Sequence, residues 1–154
     1  MGRYAERTEV TSDKSRNEIE RTLRRYGAGA FAYGWAGNEA QVMFEMTGRR
    51  IQFRLPLPDP TDKKFTETPT GRERTGAAVE REYEQAVRQR WRALALVIKA
   101  KLEAVDAGIT TVEDEFLAHI VLPDGRTVGE WTRPQLHEVY ASGTMPALLP
   151  GPAA

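Results

Sequence analysis

The stretch from Ala77 to Ala107 is the longest run of helical periodicity in the 154-residue chain, and it constrains what the rest can become. Taking Trp91 as reference at 100° per residue, Val87, Leu94, Ile98, Leu102 and Val105 fall within roughly 60° of it, and Tyr83 extends the stripe. A helix that long with one apolar face needs an apolar surface of matching length beneath it. Its basic residues divide between the flanks. Arg81, Arg88, Arg92 and Lys99 lie about 60° to 100° to one side of the stripe, and Arg90 and Lys101 about 80° to 100° to the other. Such side chains either cover apolar edges with their stems and hold their charges in water, or form a ridge able to follow a phosphate backbone. Trp91, in the middle of the stripe, is expected as a core anchor rather than a stacking platform.

The sequence ahead of this helix supplies the surface. A helix is expected from about Asp13 to Tyr26, capped by Ser12 or Asp13, with Ile19, Leu23 and Tyr26 at helical spacing and Gly27 as terminator. "AFAYGW", Ala30 to Trp35, then alternates aromatic and small residues, which places Phe31, Tyr33 and Trp35 on one face of a strand. "AQVMFEM" directs Val42, Phe44 and Met46 inward, and "RRIQFRL" directs Ile51, Phe53 and Leu55 inward, with turns at "GN" and "TG". Gln41, Met43, Glu45, Arg50, Gln52 and Arg54 fall on the opposite, wet face.

Residues 56–76, rich in proline, read as a long exposed loop without internal structure. After the long helix, Gly108 is a terminator, and "TTVEDEFLAHIVL" reads as a helix capped by Thr110 or Thr111, with acidic residues in its first turn. Either Phe116 and Ile120 or Leu117 and Val121 form its apolar side. "LPDGRTV" is a turn, "RPQLHEVYASG" a last helix with Pro134 in its first turn, and residues 144–154 a proline-rich tail whose Met145, Leu148 and Leu149 are available for docking. The expected fold is α+β: a helix and a three-stranded antiparallel sheet (13–55), a loop (56–76), a long helix packed on the sheet (77–107), and two shorter helices (108–143), in one domain.

Composition narrows the function classes. There are no cysteines, which removes disulfides, thiol nucleophiles and thiolate zinc sites and suits a reducing cytoplasm. The N-terminus lacks the apolar core of a signal peptide, and the longest apolar run, Ala93 to Ile98, is far short of the roughly 20 residues a membrane span needs. Ten Lys/Arg face seven Asp/Glu in residues 1–58, ten face eight in 59–104, and two face seven in 105–154. The first two-thirds are therefore basic and the last third acidic, which suits an anionic partner at one end or attraction between lobes within the fold.

Catalytic patterns are missing. Glu115 and His119 stand four apart, a spacing that can place two ligands on one metal, but His137 is the only other histidine and the ligand set is incomplete. Glu113, Asp114 and Glu115 are accounted for by the helix dipole. No glycine-rich phosphate loop occurs, and Ser12, Ser15 and Ser142 lie at expected helix ends, where capping accounts for them. No catalytic residue, metal or cofactor is expected.

The segments "RYGAGAFAYGW", "GRRIQFRLPLPDP", "RQRWRALALVIKAKLEAVDAGITTVEDEFLAHIVLPDGRTVGEW" and "MPALLP" resemble a family of small, functionally uncharacterised proteins encoded by phages and prophages, from about Arg3 to Pro150. The resemblance implies an accessory protein of the bacterial cytoplasm, acting in DNA replication or recombination or against host defence. The order of helix, three strands and helix also resembles a double-stranded RNA-binding domain. That frame implies contacts from Arg16, Arg24 and Arg25 and from Arg72, Arg74 and Arg81. Departures are the mixed charge of "GRERTGAAVERE", where such domains are lysine-rich, and the longer preceding loop. The expected function is non-enzymatic nucleic-acid binding through Arg50, Arg54, Arg81, Arg88, Arg92 and Lys99. The alternative is a protein-binding inhibitor of a host nuclease or anti-phage defence complex, with a host or phage protein as partner. The sequence leaves the oligomeric state open.

Overall fold

The computed structural model describes the backbone of residues 3–145 and the side chains of residues 12–145. The expected α+β architecture is present. α1 (Arg3–Arg25) leads into a meander of β1 (Ala30–Ala36), β2 (Glu39–Met46) and β3 (Arg49–Pro56) in the order β1-β2-β3; α2 (Lys63–Thr66) and α3 (Gly76–Asp106) follow, then α4 (Val112–Glu115), a 3-10 turn (Leu117–His119) and α5 (Val128–Ser142).

Two tight turns set the sheet register. Gly37 has φ +59° between β1 and β2, and Thr47 and Gly48 have φ +49° and +74° between β2 and β3; positive values suit two-residue hairpins because their twist matches that of the strands. Inward rows run straight across: Phe31, Phe44 and Ile51; Tyr33, Val42 and Phe53; Trp35, Ala40 and Leu55. Phe44, Val42, Ile51 and Phe53 are buried, as period two requires. Gln52 departs from the expected wet face. It is buried, and its backbone carbonyl accepts from the His119 ring.

Tyr83, Val87, Trp91, Leu94, Ile98 and Leu102 of α3 are buried with Ile19 and Leu23 of α1 and the inward sheet residues in one core. Trp91 is fully buried, its ring 5.4 Å from that of Tyr33 and tilted at 60°. Arg16 of α1 lies over the other side of this level, 4.2 Å from the Tyr33 ring centre. Beyond α1, Ala28 N bonds Leu23 O and Gly29 N bonds Glu45 O; near the end of α3, Lys101 reaches Glu115, close to the Arg49–Glu113 pair. The two helices therefore run in the same direction, with both C-terminal ends at the Glu45–Arg49 end of the sheet.

Several expected boundaries move, each for a physical reason. α1 begins at Arg3, and Ser12 is an interior, buried residue whose hydroxyl accepts from Arg16 Nε, so it does not cap the helix. Residues 56–76 are not structureless: Phe65 is buried edge-on against Tyr83, Asp62 caps α2, and Arg74 donates to the carbonyls of Lys64 and Phe65. The helix expected over "TTVEDEFLAHIVL" stops at Glu115, because Ile120 pairs with Ile51 and Val121 N bonds Arg50 O, extending the sheet at the β3 edge. Phe116 and Ile120 are its buried pair, while Leu117 is exposed. α5 starts at Val128, five residues before the expected start, through a Thr127–Glu130 capping box; Pro134 lies in its interior, not its first turn. Leu148 and Leu149 lie outside the described residues, and Met145 is exposed.

Two outcomes follow. Trp91→Ala empties the largest fully buried site, so urea unfolding should show a loss of about 3–5 kcal/mol. His119 stacks on Phe53 at 4.0 Å, and burial holds its imidazole below its ordinary range, opposed by the Gln52 carbonyl and assisted by Lys101. A depressed histidine pKa means the unfolded chain takes up a proton first, so stability should be fully present above about pH 6.5 and decline as the pH falls through that value. His119→Gln should flatten that part of the stability profile, measured by denaturant midpoints from pH 7.5 to 5.

Candidate nucleic-acid interface

α1 and α3 lie side by side, and a groove runs between them on the side away from the sheet. Lys14 and Arg21 from α1 and Arg88 and Arg92 from α3 supply four cations to its walls; Ser15, Gln85 and Gln89 add neutral donors, Glu18 one carboxylate, and Leu96 an apolar patch. The helical spacing accounts for this grouping. Arg88 and Arg92 are one turn apart on the flank of α3 that faces α1, and Lys14, Glu18 and Arg21 recur at three- and four-residue spacing on the facing flank of α1. None of the four cations forms an ion pair among the described residues, and no aromatic ring lines the groove there.

The other flank of α3 has different work. Arg90 donates to the Pro56 carbonyl, and Lys101 Nζ is 3.0 Å from Glu115 Oε1 and 3.2 Å from its carbonyl oxygen. These two side chains tie the helix to the end of β3 and to α4. The five basic residues from Arg88 to Lys101 thus separate into Arg88, Arg92 and Lys99, which are exposed and unpaired among the described residues, and Arg90 and Lys101, which hold the fold; Arg81, nearer the start of α3, is exposed on the first flank.

Arg50 and Arg54 stand elsewhere. They point outward from β3, on the face of the sheet opposite α3, and their nearest charges are carboxylates: Arg50 is 3.7 Å from Glu45, and Arg54 is 3.8 Å from Glu39 and 2.6 Å from Glu130. The expected site residues therefore form two groups on opposite sides, and only Arg81, Arg88, Arg92 and Lys99 share a surface. Lys14 and Arg21 were missed by sequence reasoning, because nothing local indicates which face of α1 meets α3. Of the positions implied by the RNA-binding resemblance, Arg16 covers Tyr33 and pairs with Asp13, Arg24 pairs with Glu20 at 3.0 Å, and Arg74 is occupied by loop carbonyls. Arg25 lies over the Tyr26 ring at 5.6 Å, and Arg72 is exposed.

Glu115 and His119 do not converge: one meets Lys101, the other stacks on Phe53. Among the described residues no three His, Cys, Asp or Glu side chains come together as metal ligands, and no helix is long and apolar enough to cross a membrane.

If Arg54 is committed to Glu130, the pair anchors the start of α5. Arg54→Ala should then lower protection of the α5 backbone amides in hydrogen exchange by a few-fold while leaving those of β2 unchanged, since a partly exposed ion pair contributes up to about 1 kcal/mol. Compared with protein-family models, curated proteins and solved structures, the chain matches none.

Proposed function

We propose that this protein is a non-enzymatic nucleic-acid-binding accessory protein that holds a phosphate backbone in the α1–α3 groove. The observation that carries the reading is the meeting of Lys14, Arg21, Arg88 and Arg92 in one groove with no carboxylate paired to any of them among the described residues. Unpaired cations that line a concave surface concentrate counter-anions, and a polyphosphate that displaces small ions gains entropy. Gln85, Gln89 and Ser15 add donors that suit phosphate oxygens. With no aromatic ring along the groove among the described residues, binding is to the backbone and is nearly independent of base sequence. Arg81 and Lys99 extend the charged flank beyond both ends of the groove. As part of the same proposal, the resemblance of the sequence to phage and prophage proteins implies a role in DNA replication or recombination in the bacterial cytoplasm.

A second reading has an observation of its own. α5 has no buried residue and exposes Trp131, Leu136 and Tyr140, which suits a protein-binding inhibitor of a host nuclease or defence complex. A stoichiometric protein partner that survives nuclease treatment would support this alternative.

Fluorescence anisotropy with single- and double-stranded DNA at about 50 mM salt tests the lead reading, with four contacts giving a slope of log K against log salt of about −3. Arg88→Glu combined with Arg92→Glu should reduce affinity at least tenfold, whereas Arg50→Ala combined with Arg54→Ala, on the far side of the sheet, should change it less than twofold. No binding by the native chain, or equal losses from the two double variants, would refute the groove.

A further inference from the structure

The cations that α3 brings to the groove and beyond its ends stand in one straight row. Arg81, Arg88, Arg92 and Lys99 fall within about 40° of one another around the helix, so they project from a single line about 27 Å long. All four are exposed, and none forms an ion pair among the described residues. Lys14 and Arg21 face the middle of the row from α1. Glu103, one turn beyond Lys99 on the same line, closes the row with a carboxylate.

A straight row of this length, walled on both sides at its middle, discriminates between forms of nucleic acid. The backbone of a duplex winds once in about 34 Å, so against a straight line of about 27 Å it curves away at both ends and stays within reach only of the central cations. A single strand has no such fixed path. It can lie along the whole row, between the cations of α1 and those of α3, and add contacts to Arg81 and Lys99.

From this match we infer that the groove selects a single strand over a duplex and holds it by its phosphates, with the bases turned out to solvent. The inference rests on the reading of the groove as a phosphate site and adds which form of nucleic acid fits it. The bases turn outward because the walls give them nothing to pack on: no ring lines the groove among the described residues, and Leu96 is the one apolar side chain there. A strand carried in this way keeps its base edges open to a complementary strand.

Anisotropy of the full chain with a mixed-sequence single strand, the duplex of the same length and an abasic strand of the same length tests this at about 50 mM salt, where phosphate contacts are strong. The single strand should bind at least fivefold more tightly than the duplex, and the abasic strand within threefold of the single strand. Arg81→Ala combined with Lys99→Ala, two exposed positions whose replacement leaves the core intact, should weaken single-strand binding at least fivefold. Losing those two contacts should also make its slope of log K against log salt shallower by about 1.4, while duplex binding changes less than twofold. A duplex bound as tightly as the single strand, and still sensitive to Arg88→Glu with Arg92→Glu, overturns the selection of a single strand and leaves the phosphate groove standing. Equal losses for strand and duplex from the Arg81 and Lys99 pair overturn it as well. An abasic strand bound more than tenfold weaker overturns the outward placement of the bases. No binding of any of the three overturns the groove itself.

Discussion

The contact between Trp91 and Tyr33 decides how the molecule is arranged. One fully buried indole, 5.4 Å from a sheet tyrosine, fixes the rotation of α3 about its own axis. Its Nε1 has no hydrogen-bond partner among the described residues, so shape and apolar burial alone hold it there. A slip of one residue along α3 would turn the stripe by about 100° and lift Val87, Leu94 and Ile98 off the sheet. With that rotation set, Arg88 and Arg92 must face α1, Arg90 and Lys101 must face β3 and α4, and the Ala93–Ala100 side must face water.

Much of this was legible in the sequence because two periods dominate it. The period-two alternation of β2 and β3 and the 3.6-residue stripe of α3 each identify a buried face, and the two faces match in length. The errors arose where long-range contacts override local pattern. Ser12 reads as a cap but is buried within a longer α1. Residues 56–76 lack any period because one side chain, Phe65 on Tyr83, organises them. The acidic helix after Thr111 stops early because Ile120 is drawn into pairing with Ile51. The start of α5 is written in the sequence, since Thr127 and Glu130 have the spacing of a capping box, although Pro134 also suits the first turn of a helix that begins later.

The candidate site was half legible for the same reason. A helical wheel divides the basic residues of α3 correctly, and the flank with Arg88 and Arg92 is the one that remains unpaired. The wheel says nothing about the neighbour. Lys14 and Arg21 enter the site only because α1 lies parallel to α3 and beside it, a tertiary fact. The charge division along the chain also resolves locally: carboxylates from the acidic third meet Arg49, Arg54 and Lys101, so attraction between lobes consumes those cations and leaves the groove cations uncompensated.

The central claim is that the cations of the groove, and not those of the sheet, meet a phosphate backbone. Side-chain NMR spectra during titration with a short single-stranded DNA observe both sets in one sample. The account predicts that the arginine Nε–H signals of Arg21, Arg88 and Arg92 and the amide signals of Gln85 and Gln89 shift together, while those of Arg50 and Arg54 stay in place. Shifts confined to Arg50 and Arg54, or to the side chains of α5, would contradict it.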